Sequence, residues 1–205
     1  MMEESVVVNP PSLKEERQEA DSKTIFGFWV YIMTDCVLFA SLFATYAVLH
    51  NNTVGGPGGR ELFSLHYALA ETLLLLTSSF TCGLAILAAR SRNKDKVLFW
   101  LGITFLMGFG FLGLELHEFH SLAVSGNSWR RSGFLSASYT LVGTHGLHIT
   151  TGLLWMGTMM IRVGSSGLGR INIRRLTLLS LFWHFLDIVW IFIFTIVYLM
   201  GGAGV

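Results

Sequence analysis

The sequence predicts an all-α fold, an integral membrane bundle of five transmembrane helices. Hydrophobic residues make up 52% of the 205 residues, whereas Asp, Glu, Lys and Arg make up only 13%. A soluble domain carries about 25% of these charged residues. The three prolines, Pro10, Pro11 and Pro57, lie outside the long apolar runs, so no proline interrupts a helix there. The net charge of +1 gives no indication of nucleic-acid binding.

Five segments reach the length of about 20 mostly apolar residues that a helix needs to cross a bilayer. The first follows a polar, acidic stretch, residues 1–24, which we interpret as a cytoplasmic N-terminal tail. Each later segment is separated from the one before it by a loop rich in Gly, Ser or basic residues. Residues 25–205 therefore form one five-span domain, with predicted spans at 25–49, 67–89, 97–117, 134–161 and 176–200.

The distribution of basic residues predicts how the chain crosses the membrane. Eleven Lys and Arg residues lie in the tail and in the second and fourth loops, against three on the other side. Loops rich in Lys and Arg stay in the cytoplasm. The N-terminus is therefore expected to be cytoplasmic and the C-terminus to face outside. Arg174 and Arg175 then lie near the cytoplasmic surface, where they are candidates for binding anionic lipid headgroups or a partner loop.

Ionisable residues occur at two depths within the predicted spans. Such residues are costly in a bilayer unless they are paired, hydrated or neutral, so they indicate packing or function. A middle layer lies near the centre of three spans, and an outer layer lies near the ends of the second and third. The middle layer comprises Asp35, His145, His148, His184 and Asp187, and the outer layer comprises Glu71, Glu115, Glu118, His117 and His120.

Three interpretations of these polar groups stay open from the residues alone. His145, His148 and His184 could hold a haem or a metal, although no complete ligand set is visible. The intramembrane carboxylates could serve proton or ion transport, although no inverted repeat or broken span is apparent. Alternatively, the chain is a cofactor-free subunit whose polar groups fix its packing in a larger complex or hold lipid.

The chain resembles subunit III of the haem-copper terminal oxidases. The resemblance rests on four stretches together, of which THGLH and WHFLDIVW on consecutive spans are the most specific. LELHEFH at 114–120 fits more loosely. The four stretches are KTIFGFWVYIMTDCVLFASLFATYAVL (23–49), RSGFLSA (131–137), LVGTHGLHITTGLLWM (141–156) and LSLFWHFLDIVWIFIFTIVYLMG (179–201).

The resemblance implies an accessory subunit in a bacterial inner membrane, and its five spans look like the quinol-oxidase type. Such a subunit binds no cofactor itself; haem and copper belong to the catalytic subunit I beside it, and subunit II and a small subunit IV complete the enzyme. The assembled enzyme oxidises quinol, reduces dioxygen to water and pumps protons. Subunit III steadies the catalytic subunit, sustains proton uptake and binds phospholipid.

The same resemblance suggests roles for individual residues, none of them catalytic. Asp35 stands where many relatives have a buried Glu with a longer reach. The residues expected to serve in buried polar packing or lipid binding are Asp35, Glu71, Glu115, Glu118, His145, His148, His184 and Asp187.

Overall fold

The computed structural model describes residues 13–50, 52–53, 65–127 and 129–200, and every regular element in these ranges is helical. Half of the predicted tail, residues 1–12, lies outside this range. A π-helical segment, Phe194–Met200, directly continues the last α-helix. The α-helices are α1 (Leu13–Leu49), α2 (Leu65–Arg90), α3 (Lys94–Val124), α4 (Gly133–Ser166) and α5 (Arg170–Ile193).

Four of the described helices are long and apolar enough to cross a membrane, namely α1, α2, α3 and α5 with its π-helical extension. The prediction of five such spans is therefore too high by one on this criterion, because α4 is not among them. The physical reason lies in the composition of α4, which carries repeated Thr, Ser, Gly and His residues. Many of these residues face neighbouring helices, so these positions of α4 do not have to be apolar.

The helices α2, α3, α4 and α5 form a ring in which each packs against the next, and α5 closes the ring against α2. Helix α1 lies outside this ring, over the seam between α4 and α5. Aromatic contacts fix α1 there: Phe28 meets Trp155 of α4, and Phe43 meets Phe192 of α5. The fold is thus a four-helix ring with one outer helix.

Two tryptophans of α5 fill the interior of the ring. Trp183 donates to Ser78 Oγ of α2 at 3.1 Å, and a Cβ added at Gly108 of α3 would lie 2.7 Å from its ring. Trp190 donates to Thr72 Oγ1 of α2 at 3.0 Å. Both indoles are almost fully buried. Buried indole N–H groups need an acceptor, and the small residues opposite them let the helices approach closely.

Short connections hold consecutive helices close together. Asn93 caps α3 by accepting a hydrogen bond from the Lys96 backbone N–H at 3.2 Å, and Ser132 caps α4 by accepting from Leu135 N–H at 3.2 Å. Gly167 ends α4 with φ of +70°, a conformation that favours glycine. These caps place the next helix directly beside the previous one.

Candidate functional site

The outer helix α1 meets the ring through a polar contact near the middle of the bundle. Asp35 Oδ1 lies 3.7 Å from His148 Nε2 on α4. The other ring nitrogen of His148, Nδ1, lies 2.7 Å from the Thr144 carbonyl oxygen. A carbonyl oxygen can only accept, so Nδ1 carries a hydrogen and Nε2 faces the carboxyl group. Phe39 covers the pair, with its ring centroid 5.2 Å from that of His148.

A second polar group lies on the opposite flank of α5, at its seam with α2. His184 Nδ1 lies 2.7 Å from Ser79 Oγ, and the Asp187 carboxyl group interacts electrostatically with both side chains. These three side chains line an open groove of about 460 Å³ together with Leu76, Phe80, Gly83 and Leu84, and we call it the α2–α5 groove. Four of the five residues of the expected middle layer are thus divided between two seams of the ring.

His145 belongs to neither seam and is fully buried inside the ring. Its ring lies 5.4 Å from that of Trp190 and 5.9 Å from that of Phe111, measured between centroids. Neither of its nitrogens has a hydrogen-bond partner within the described part of the chain. This imidazole therefore fills space between aromatic rings, where a neutral form is the less costly one.

Three carboxyl groups meet at the end of the bundle where α2 begins and α3 ends. Glu71 of α2 interacts electrostatically with Glu115 and Glu118 of α3. Tyr198 of the π-helical segment donates a hydrogen bond to Glu118 Oε2 at 3.0 Å. Glu115 packs closely against α4 at Gly146, where an added Cβ would lie only 2.8 Å from Glu115 Oε2. We call Glu71, Glu115, Glu118 and Tyr198 the outer carboxyl cluster.

The opposite end of the bundle carries a basic pocket of about 780 Å³. Asp21 of α1 bonds two guanidinium groups there, Arg170 Nη2 at 3.1 Å and Arg174 Nη1. The pocket has an excess of positive charge because four arginines face this one carboxylate. We call it the arginine pocket; its charged lining residues are Asp21, Arg162, Arg170, Arg174 and Arg175.

The histidines considered as haem or metal ligands do not converge. His145 is enclosed by aromatic rings, His148 faces Asp35, and His184 faces Ser79 on the far seam. In the described ranges, no group of three or more His, Cys, Asp or Glu side chains is arranged to hold a metal ion. The geometry of these donors therefore favours helix packing over ligation.

Sequence reasoning missed several partners of the polar groups. Ser79 bonds His184, Ser78 and Thr72 accept from the two buried indoles, and Asp21 pairs the arginines. The Ser78-Ser79 pair inside the second predicted span was a visible signal. Hydroxyl groups are common in membrane helices, however, and their partners lie on distant parts of the sequence.

Comparison with known proteins places the chain among oxidase subunits. Residues 12–202 match the family model described as cytochrome c oxidase subunit III. The chain is 54% identical over 188 residues to cytochrome bo(3) ubiquinol oxidase subunit 3 of Pseudomonas aeruginosa, covering 92% of this chain and 90% of that protein. It is 45% identical over 196 residues to cytochrome c oxidase subunit 3 of Bacillus subtilis, covering 95% and 94%.

A further relative from Bacillus subtilis, quinol oxidase subunit 3, is 42% identical over 203 residues and covers 99% of this chain and all of that protein. The matched region includes both seams of the ring, the outer carboxyl cluster and the arginine pocket. The bundle, its buried polar contacts and the similarity over nearly the whole chain agree. The chain therefore belongs to the cytochrome c oxidase subunit III family of multi-pass membrane proteins.

Proposed function

We propose that this chain is the non-catalytic third subunit of a proton-pumping ubiquinol oxidase of the aerobic respiratory chain. The observation that carries the proposal is the 54% identity, over nine-tenths of both chains, to a relative named as a ubiquinol oxidase subunit. Relatives named for cytochrome c are also similar, at 48% and 45% identity. Quinol as the electron donor thus rests on the higher identity to the ubiquinol oxidase relative.

The arrangement of the polar side chains supports an accessory role. Asp35 and His148 join α1 to the ring, and Ser79, His184 and Asp187 join α2 to α5. Each of these polar groups connects helices at a separate place, as expected of residues that specify packing. In this proposal haem and copper belong to a partner catalytic subunit I, with subunits II and IV completing the enzyme, and this chain stabilises subunit I and sustains its proton uptake.

We further propose that α4 crosses the membrane as a fifth span, with its polar residues directed at other helices. It has the length to do so and packs against α1, α3 and α5. The N-terminus then lies in the cytoplasm and the C-terminus in the periplasm of a bacterial inner membrane. The excess of Lys and Arg on the side of the arginine pocket supports this orientation.

The arginine pocket is proposed to bind the headgroup of an anionic phospholipid. Arg174 and Arg175 line it, and Arg174 Nε is buried without a hydrogen-bond partner within the described ranges. The pocket lies at the end of the proposed spans, which is where lipid phosphates are expected. Guanidinium groups bind phosphate oxygens in bidentate geometry, so this site suits a phosphate rather than a zwitterionic amine.

A lipid measurement tests the headgroup proposal. The purified complex carrying both Arg174→Gln and Arg175→Gln is expected to retain less anionic phospholipid, quantified by mass spectrometry, than the unmodified complex. Asp21→Asn removes the competing carboxylate and is expected to increase retention. The matched control is Arg90→Gln with Arg92→Gln, which removes the same charge from another loop. Unchanged lipid content in the Arg174/Arg175 variant would contradict the proposal.

Co-purification tests the subunit assignment. The tagged chain, extracted in mild detergent, is expected to bring a haem-bearing subunit with it, and the complex is expected to oxidise ubiquinol. After the partners are stripped away, the isolated chain is expected to show no haem absorption band. A chain that purifies alone and keeps such a band would overturn the assignment and return His145, His148 and His184 to consideration as ligands.

A further inference from the structure

The two seams on either side of α5 are built alike, but among the described residues only one is covered by a helix. Helix α1 lies over the α4–α5 seam and places Asp35 next to His148. The α2–α5 seam also presents a histidine, His184, near the middle of its helix, and there it lines an open groove. The covered seam shows how a helix with one polar side chain docks on this ring.

The polar trio in the α2–α5 groove has a free hydrogen-bonding position. His184 Nδ1 bonds Ser79, and His184 Nε2 makes no hydrogen bond within the described part of the chain. Asp187 interacts electrostatically with Ser79 and His184, and its Oδ1 is buried without a hydrogen-bond partner in the same ranges. A proton on Oδ1 would be an unsatisfied buried donor, which is costly.

Every neutral arrangement of the protons leaves a hydrogen-bonding position at Nε2. A trio near the membrane centre is least costly when its net charge is zero. It then consists either of a protonated Asp187 with a neutral His184, or of an Asp187 carboxylate with a His184 imidazolium. In these arrangements His184 Nε2 donates when it carries a hydrogen and accepts when the hydrogen of a neutral ring is on Nδ1. The groove therefore presents a polar nitrogen that needs a hydrogen-bonding partner.

The shape of the groove suits a helix. Ser79 and Gly83 are small residues one turn apart on α2, and a Cβ added at Gly83 would meet nothing within 4 Å. Leu76 and Phe80 flank them and are 43% and 67% exposed. Small residues at this spacing let a second transmembrane helix approach closely, and the flanking apolar side chains then pack along it.

We propose that the α2–α5 groove docks a transmembrane helix of a partner subunit, and that this helix carries a hydrogen-bonding side chain opposite His184. The inference rests on the proposed function, in that it requires the chain to be one subunit of a membrane complex. A lipid tail would fill the apolar part of the groove but has no hydrogen-bonding group for His184 Nε2. The partner helix repeats on this seam what Asp35 of α1 does on the other.

Photocrosslinking in the assembled complex tests the proposal directly. A benzophenone amino acid replaces Phe80 in the groove, and the same probe replaces Phe109 on α3 as the matched control, since Phe109 is 62% exposed. The probe at Phe80 is expected to label one peptide of a partner subunit, which mass spectrometry identifies as a transmembrane segment with a polar residue near its centre. The probe at Phe109 is not expected to label that peptide.

Variants in the groove measure its contribution to assembly. Gly83→Leu fills the groove and is expected to abolish the Phe80 crosslink, whereas Gly113→Leu, at another glycine with open space, is not. His184→Phe removes the ring nitrogens and is expected to lower retention of the labelled subunit about three- to tenfold, the range for one hydrogen bond between membrane helices. The amount of this chain in the membrane serves as the control for folding.

The outcomes separate this inference from the proposed function. Crosslinks from position 80 only to lipid, to a quinone or to a second copy of this chain, in a complex that still contains its haem-bearing subunit, would overturn the inference alone. Full retention of all subunits in both Gly83→Leu and His184→Phe would do the same. A chain that purifies without any haem-bearing subunit would overturn the proposed function and the inference together.

Discussion

Asp35 of α1 and His148 of α4 face each other across the α4–α5 seam, with 3.7 Å between Oδ1 and Nε2. This separation is too long for a hydrogen bond but short enough for an ion-pair contact. Both side chains are largely buried, at 9% and 13% exposure. Helix α1 packs mainly on α4 and α5, so this contact and the Asp21–arginine pairs at the end of the bundle together set its register.

Replacing Asp35 by Leu is therefore expected to loosen α1 from the ring. We expect a loss of about 1–2 kcal/mol in the free energy of unfolding in mixed micelles, since polar contacts between membrane helices have about this size. Asp35→Asn keeps a polar group opposite His148 and should cost less. Thr34→Val is the control, because the Thr34 hydroxyl bonds only a carbonyl of its own helix. Equal stability of the Leu and Val variants would contradict this role.

Thr72→Val removes the acceptor of the Trp190 indole. The substitution hardly changes the side-chain volume but leaves a buried N–H without a partner, which costs about 1–3 kcal/mol. Thr77→Val is the matched control, because Thr77 is exposed and its hydroxyl bonds the Leu73 carbonyl of the same helix. The measurement is detergent-induced unfolding followed by tryptophan fluorescence. A cost no greater than that of Thr77→Val would show that the bond contributes nothing.

Gly108→Ala tests the close packing around Trp183. The new Cβ would lie 2.7 Å from the indole ring, so the ring or the helix must shift, and overpacking of this kind costs about 1–3 kcal/mol. Gly113→Ala on the same helix has nothing within 4 Å and should leave stability unchanged or slightly raised. Thermal unfolding of the two variants side by side gives the comparison. Equal midpoints would mean that the ring interior is not tightly packed.

Tyr198→Phe removes the hydrogen bond to Glu118 in the outer carboxyl cluster. We expect a loss of about 1–2 kcal/mol in unfolding free energy, because hydrogen bonds to acidic groups are stronger than neutral ones. Glu118→Gln keeps an acceptor for the Tyr198 hydroxyl and adds no charge to the cluster, so the unfolding free energy should change little. A Gln variant less stable than the Phe variant would show that charge, and not the hydrogen bond, holds this end together.

Helix positions could be predicted from the sequence with little error, because the apolar runs and the polar loops between them are local features. The differences lie at the ends. The predicted span 97–117 belongs to a helix that runs from Lys94 to Val124, and the first helix begins at Leu13 instead of residue 25. Polar residues such as Glu118 and Asp21 continue these helices because they find partners at the bundle ends.

The partners of the buried polar groups could not be predicted. Asp35 lies opposite a histidine of another span, His148. Asp187 instead lies near Ser79 of α2 and His184 of its own helix. Depth follows from position along a helix, but a partner depends on which faces of two helices meet.

The sequence by itself determined that this chain is a helical membrane protein and where its polar residues lie along each span. The tertiary structure decided that α2 to α5 form a ring and that α1 lies outside it, which leaves the α2–α5 groove open among the described helices. Helices that are apolar on most of their surface carry almost no periodic signal for which face is inside. Which face lies inside is decided by indoles packing against glycines and by hydrogen bonds of hydroxyl groups between helices. These contacts exist only once the helices are assembled.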